Sequence, residues 1–196
     1  MGTRIKEEYH PKNGLLRERR YYSSGSLHRE AGPAIEQFDE RARLVRRAWY
    51  IRGRLDRDDG PAREMFYQNG ISYCLEWHKA GRHHRDDGPA IEFFYADGTV
   101  KSREWFMGGI AHRDDGPAYE AFYMTGAIDG WIWRTHDKLH RLDGPAIETY
   151  EPDGSIKEIV YSIDDERLPE DEYRRRITLL DLSGRIKRTM DRGLSL

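Results

Sequence analysis

Cysteine is almost absent: the 196-residue chain has one, Cys74. A single thiol excludes an internal disulfide and points to a reducing compartment. Long apolar runs are missing too. No stretch reaches the ~18–20 apolar residues of a membrane-spanning helix. The start, MGTRIKEEYHPKNG, lacks the apolar centre of a secretory signal and does not match the myristoylation pattern. These absences predict a cytoplasmic protein. Apolar residues make up only 37% of the chain against 35% charged ones, a balance that leans toward disorder. Five Trp, 12 Tyr and 6 Phe oppose that reading. Together they predict a thin structure with little deep core.

What is present is a strict period. Gly-Pro-Ala occurs five times, at Gly32, Gly60, Gly88, Gly116 and Gly144, each 28 residues after the last. Such a period predicts a stack of one supersecondary unit, each contacting mainly its neighbours. Ten residues after four of these glycines stand Gly70, Gly98, Gly126 and Gly154, preceded by Asn69, Asp97, Thr125 and Asp153. Asn-Gly and Asp-Gly suit a type I′ hairpin turn. Asn13-Gly14 is a degenerate copy in the same phase. At Arg41-Ala42 the glycine is lost, which predicts a looser or re-registered hairpin. Each unit then has an aromatic residue (Tyr21, Trp49, Trp77, Trp105, Trp133, Tyr161) and a second turn signal such as Arg52-Gly53, Ala80-Gly81 or Gly108-Gly109. Two turn signals per unit, with β-branched and aromatic residues between them, predict an antiparallel meander.

A two-residue turn fixes register. Pairing outward from Asp97-Gly98 sets Tyr95 opposite Val100, Glu92 opposite Arg103 and Ala90 opposite Trp105. Pairing outward from Gly108-Gly109 sets Trp105 opposite His112, where the imidazole can stack on the indole, and Glu104 opposite Arg113. The same rule pairs Glu8 with Arg19, Glu36 with Arg47 and Glu76 with Arg85, contacts worth ~0.2–1 kcal/mol each. In His-Arg-Asp-Asp-Gly-Pro-Ala, Asp-Asp-Gly-Pro makes the bend and the proline sits where the ladder is interrupted. Pro169 followed by Glu170, Asp171 and Glu172 marks a helix start. The helix is expected over 169–182, with Tyr173, Ile177 and Leu180 on one face and a stop at Ser183-Gly184. Residues 185–196 are expected to be loosely held. The predicted fold is all-β: antiparallel β-hairpins in an elongated, curled sheet of roughly 12 strands over 1–168, then a short C-terminal capping helix and tail over 169–196.

The string FFYADG…EWFMGGIAHRDDGPA resembles MORN repeats, short β-hairpin units with a Tyr/Trp–x–x–Gly pattern and an Asp-Gly or Asn-Gly turn. It is closer still to the diverged His-Arg-x-Asp-Gly-Pro-Ala repeats of bacterial, phage and giant-virus proteins. The likeness covers roughly residues 5–168, and the closing Leu-Pro-Glu-Asp-Glu-Tyr at 168–173 looks like the end of such arrays. The period here is longer than in ordinary MORN repeats, and His-Arg-Asp-Asp-Gly-Pro-Ala replaces a His-Gly-x-Gly segment. The resemblance implies a scaffold that binds proteins, dimerises or associates with membranes, and related repeats occur in antitoxins.

Candidate site residues divide into repeated and irregular ones. His28, His84, His112 and His140 fall about 9–10 Å apart at two strands per unit, too far to share a metal. His78 and His83 face each other across Ala80-Gly81 as a two-histidine half-site without an evident third ligand, and the favoured reading is an exposed, pH-sensitive pair. His-Arg-Asp at 84–86 and 112–114 lacks the other kinase motifs. The glutamate column Glu36, Glu64, Glu92, Glu120 and Glu148 faces arginines rather than forming an acid/base pair. No catalytic residue, metal or cofactor is expected. Residues 1–57 carry 14 Lys/Arg against 8 Asp/Glu, a net of +6 in a chain of net charge −2. Within that third, Arg43, Arg46, Arg47, Arg52 and Arg54 surround Trp49 and Tyr50, a pattern suited to single-stranded nucleic acid. Trp131 is an extra tryptophan beside the unit's own Trp133, and with Arg134 and His136 it marks a second candidate surface. It either anchors a partner or packs on the capping region. The leading expectation is a non-enzymatic binding or scaffold protein whose partner is another protein or a second copy of itself. One alternative is a phage or mobile-element inhibitor of a host defence protein, or an antitoxin. Another is nucleic-acid or signal-molecule binding through the basic third. No membrane partner is expected.

Overall fold

The computed structural model describes residues 2–193, and in the C-terminal helix it describes side chains up to Ser183. It contains one 14-stranded antiparallel sheet in which each long strand pairs with its neighbours in chain order, from Arg4–Tyr9 at one edge to Glu166–Leu168 at the other. The expected all-β array of hairpins with one C-terminal helix is what the chain forms. Each unit gives two strands to the sheet, such as Ile91–Phe94 and Val100–Glu104. After its Trp the chain leaves the sheet and folds a short ribbon, such as Phe106–Met107 with Ile110–Ala111.

The first turn departs from the predicted type I′ geometry, and the second keeps its predicted two-residue register. At the first, only the glycine is left-handed (Gly98, φ 89°), so the turn is not type I′. Tyr95 N–H donates to the Thr99 carbonyl (2.8 Å) and Gly98 N–H to the Tyr95 carbonyl (2.9 Å). This is a three-residue loop, a type I turn followed by a G1 bulge. Tyr95 therefore faces Thr99, not Val100. A second bulge, between Phe93 and Phe94, restores the pairing, so Glu92 still faces Arg103. Two one-residue offsets cancel, which is why the body of the sheet keeps the predicted register. In the first hairpin they do not cancel. Pro11 stands in phase with Tyr67, Tyr95 and Tyr123 and has no N–H to close the loop. His10 N–H closes it instead, on the Leu15 carbonyl (2.8 Å). Glu8 then faces Glu18, and the predicted partner Arg19 bonds Glu7 (2.7 Å).

The second turn is the type I′ turn, with both central residues left-handed, as in Ala80-Gly81 (φ 52° and 85°) and His136-Asp137 (φ 52° and 66°). Its second amide hooks each ribbon to the previous one: Gly81 N–H donates to the Leu55 carbonyl and Gly109 N–H to the His83 carbonyl, both at 2.8 Å. The histidine column serves the same joint. His84 faces Trp105's counterpart Trp77 through its backbone (3.1 Å), but its ring does not stack there. Its Nδ1 accepts the Gly108 N–H (3.1 Å), as His28 and His140 do for Arg52 and Asp164 (3.3 and 3.2 Å).

The arginine of the motif is a clamp. The guanidinium carbons of Arg57, Arg85, Arg113 and Arg141 lie 4.0–4.1 Å over the rings of Trp49, Trp77, Trp105 and Trp133. Arg113 Nε donates to Asp115 (2.9 Å), and its Nη1 to the Pro117 carbonyl (3.4 Å) and Glu120 (3.0 Å). Arg85 likewise holds Asp87 and Glu92, so the predicted pairs Glu76–Arg85 and Glu104–Arg113 are not made. The motif glycine lies against the other side of the guanidinium. A Cβ on Gly116 would sit 2.7 Å from the Arg113 guanidinium carbon, and its φ is ordinary, so close approach rather than conformation requires glycine. The following alanines Ala34, Ala62, Ala90 and Ala146 are fully buried, and among the described residues the largest fully buried side chains are Cys74 and Ser162. The core is as thin as the composition predicts.

Ala42 replaces the hairpin glycine without loosening the loop. Asp39 N–H still closes on the Arg43 carbonyl (2.9 Å), and Glu36 still faces Arg47. Ala42 itself is held left-handed (φ 57°). The Asp39 carboxylate braces it by accepting the Arg43 side chain and the Arg43 and Arg41 amides, which hold its pKa down at about 2.

The C-terminal helix spans Glu170–Gly193, so the stop signal at Ser183-Gly184 is not used. Where a loosely held tail is expected over 185–196, the helix continues as far as Gly193, and residues 194–196 lie outside the described residues. Tyr173 is buried, donates to the Arg141 carbonyl (3.0 Å), accepts from the Gly144 amide (3.1 Å) and packs on Tyr161 (4.8 Å between rings). Arg176 ties the helix to the last strand through both oxygens of Glu166 (2.6 and 2.8 Å). Leu180, expected on the packed face, is exposed. Among the described residues, Tyr173 and the Arg176–Glu166 ion pair are the main ties of the helix to the sheet, with half-buried Ile177 beside Leu142 and Pro145.

Two stability measurements check these assignments. Gly116→Ala should cost about 1–3 kcal/mol by overpacking, and most of that penalty should vanish in an Arg113→Ala background. An equal penalty in both backgrounds, read by denaturant melts, would refute the clamp. Ala42→Gly should add about 1 kcal/mol, because a left-handed Ala is strained and a left-handed Gly is not. A calorimetric Tm that falls would count against the loop.

Candidate functional site

The arginines expected to form one basic patch are dispersed. Arg43 lies in a hairpin tip, bound to Asp39 and to the Gln68 carbonyl (3.2 Å). Arg46 and Arg47 are consecutive on the strand Leu44–Ala48, so they point to opposite faces. Arg46 reaches Gln37 and Arg47 reaches Glu64 (2.5 Å). Arg52, Arg54 and Tyr50 belong to the ribbon at the far end of the strand. The second predicted group is also split. Arg134 and His136 are ribbon residues, bonded to the Asp137 carbonyl and stacked on His112 (4.6 Å between rings). Trp131 stands on the sheet itself, between Glu120 and Glu148, with Tyr150 edge-on to its ring at 6.1 Å.

Trp131 is part of a row that crosses the whole sheet. Reading across paired strands, Glu7 faces Arg19, then come Glu36, Arg47, Glu64, Leu75, Glu92, Arg103, Glu120, Trp131, Glu148 and Ile159. Every second member is a glutamate. The residue between two glutamates is an arginine except at Leu75 and Trp131, and Ile159 ends the row beside Glu148. The glutamates of the four central units are also held by clamp arginines, at 2.7–3.3 Å. The row is thus largely neutralised, and its apolar members are half-buried or, for Ile159, exposed.

The other face carries a different irregularity. The ribbons turn one pair of side chains per unit toward it. That pair is Tyr50/Leu55, then His78/His83, then Phe106/Ala111. In the middle of the stack two histidines therefore replace apolar residues. Beneath them, Arg63 faces Glu76 across the ladder. Glu76 Oε2 accepts from Arg63 and lies 3.0 Å from His78 Nε2 and 3.1 Å from His83 Nε2. The two imidazoles are 4.2 Å apart between centroids. Glu76 and His78 are buried, contrary to the expected exposed pair, while the His83 side chain stays 30% accessible. Burial alone would raise the Glu76 pKa, but the bonds from His78, His83 and Arg63 outweigh it and hold the carboxyl below its ordinary range. Next to it, burial pushes the Cys74 thiol up to about 12. No family model matches the chain, and neither a curated protein nor a solved structure matches it. Its own geometry is the guide to what the site does.

Glu76 is the group that pairing by sequence misses. Assigning it to Arg85 removes it from the histidines, whereas simple alternation places residues 76 and 78 on one face. Glu104 occupies the equivalent place in the next unit, beyond Ile91. Burial raises its carboxyl pKa, with His83 opposing and Glu76 adding to the rise. Between successive bends lie two open clefts of about 600 and 630 Å³, one lined by Asp86, Asp87, Trp105 and Asp114, the other by Asp58, Asp59, Trp77 and Asp86. Their histidines and arginines are already bonded to those aspartates, as in His84–Asp86 (3.2 Å) and Arg85–Asp87 (2.9 Å).

The raised Glu104 carboxyl has a signed consequence. Folding favours its protonated form, so its contribution is fully present below the unfolded pKa of about 4.3 and is lost as pH rises through the folded value. The Tm of Glu104→Gln relative to the parent should become more favourable between pH 4 and pH 7. A difference that shrinks over that range would contradict the burial of this group.

Proposed function

We propose that the protein is a non-enzymatic binding scaffold that holds a protein partner on the face bearing the Glu/Arg row, with Trp131 as its anchor. The observation that carries this reading is the substitution of Trp131 into a row position where Arg19, Arg47 and Arg103 stand in other units. A half-buried indole on a rigid strand, ringed by paired charges, is the kind of group that dominates protein interfaces. Ile159 extends the apolar surface along the same row. The repeated polar groups bond one another, which leaves the irregular positions as recognition elements. Dispersal of the basic residues supports a protein over a nucleic acid. The inhibitor and antitoxin readings use the same surface and differ only in the partner, and they draw on the repeat resemblance alone.

Trp131→Arg tests the proposal cleanly, because arginine between two glutamates is this scaffold's usual residue. The variant should keep the parent's melting behaviour. Affinity capture from the source cell should recover a protein with the parent and lose it, about tenfold or more in yield, with Trp131→Arg. Recovery of nucleic acid, or of the same protein by both forms, would overturn the assignment.

A further inference from the structure

The buried layer on the opposite face points to a second capability. We infer that Glu76, His78 and His83 form a binding site for a divalent transition-metal cation of the zinc class. Their donor atoms, one carboxylate oxygen and two imidazole nitrogens, lie within 4.8 Å of one another. A tetrahedral ion with bonds of about 2.0–2.2 Å places its ligands roughly 3.3–3.5 Å apart. The carboxylate oxygen already stands 3.0 and 3.1 Å from the two ring nitrogens, so those two contacts would open by only a few tenths of an ångström, while the nitrogens themselves lie within 4.8 Å of each other.

The donor set selects the cation. Two imidazoles with one carboxylate suit zinc and its transition-metal neighbours, while calcium and magnesium favour oxygen alone. Arg63 bonds the same Oε2 from the adjacent strand, so it fixes the carboxylate in place and would share that oxygen with the ion or shift to Oε1. The burial is graded: His78 is enclosed and His83 reaches solvent. An ion would enter past His83 and keep a coordination position open on that side.

The scaffold does not require these residues for packing. The adjacent units fill the same place with Tyr50/Leu55 and Phe106/Ala111. A buried carboxylate surrounded by Arg and His gains little over such apolar packing in stability alone. The layer is also confined to one unit, unlike the histidine column that joins ribbons. This site is independent of Trp131: Glu76 follows the row residue Leu75 and so lies on the other face.

The double variant His78→Phe/His83→Ala copies the next unit's own pair and gives a folded control. Chelator-treated full-length protein should bind one equivalent of Zn²⁺ by calorimetry. With Co²⁺ it should develop the strong visible absorption of a four-coordinate site. Affinity should fall at least tenfold, about 1.4 kcal/mol, in Glu76→Gln, and binding should disappear in the double variant while its circular dichroism is unchanged. Absence of binding by the parent would overturn the inference. So would an equal uptake by parent and double variant, which would place the metal elsewhere.

Discussion

The stack depends on one contact, a guanidinium held between an indole and a glycine. Arg113 lies 4.0 Å over Trp105, and Gly116 is close enough on its other side that a methyl group would collide. In that slot its nitrogens meet Asp115, the Pro117 carbonyl and Glu120. A stacked arginine is worth about 0.5–2 kcal/mol per instance, and an Arg has the planar fork that Lys lacks. One side chain therefore accounts for the Trp, Arg, Asp, Gly and Glu of the four central units, while Arg29 in the first unit lies over Tyr21 instead. It also explains how a sheet with almost no large buried side chains holds its bends. The clamp does the work that a deep apolar core does in a globular domain.

Because the clamp consumes the repeated polar groups, the departures from the repeat stand out. On one face the departure is an indole where an arginine belongs. On the other it is a pair of imidazoles over a carboxylate where apolar side chains belong. The first enlarges apolar surface among neutralised charges. The second puts nitrogen and oxygen donors into a place that otherwise packs dry. They occupy different units and opposite faces, so changes at Trp131 and at His78 should behave as separate perturbations.

Much of the architecture was legible from spacing. The period, the two turns per unit and the central pairing of Glu92 with Arg103 all follow from alternation and glycine placement. The turn types were not, because Asp-Gly serves both type I′ turns and G1 bulges, and the difference lies in a closing bond one residue away. The central register survived only because a bulge at Lys101 offsets the longer loop. In the first hairpin Pro11 moves the closing bond to His10, the single bulge no longer restores the pairing, and Glu8 and Arg19 part. The basic patch failed for another reason. Proximity in sequence along an extended strand means about 3.3 Å per residue and alternating faces, so Arg43, Arg46, Arg47 and Arg54 diverge rather than converge. Glu76 was concealed by a plausible but wrong partner, Arg85.

The order of strands, each beside its chain neighbour, has a consequence for assembly. Units built on the same clamp are nearly interchangeable, so a sheet displaced by one whole repeat would still find an indole, a glycine and a carboxylate for each arginine. Correct alignment then rests on the units that are unlike the others. Pro11 admits only its own loop, Ala42 needs the Asp39 brace, and the His78/His83 pair, which finds a carboxylate at Glu76 or Glu104, meets none at the in-phase Ala48 or Ile132. These irregular units act as frame markers. They distinguish the native alignment from one shifted by 28 residues, an error that the repeated contacts alone would not penalise.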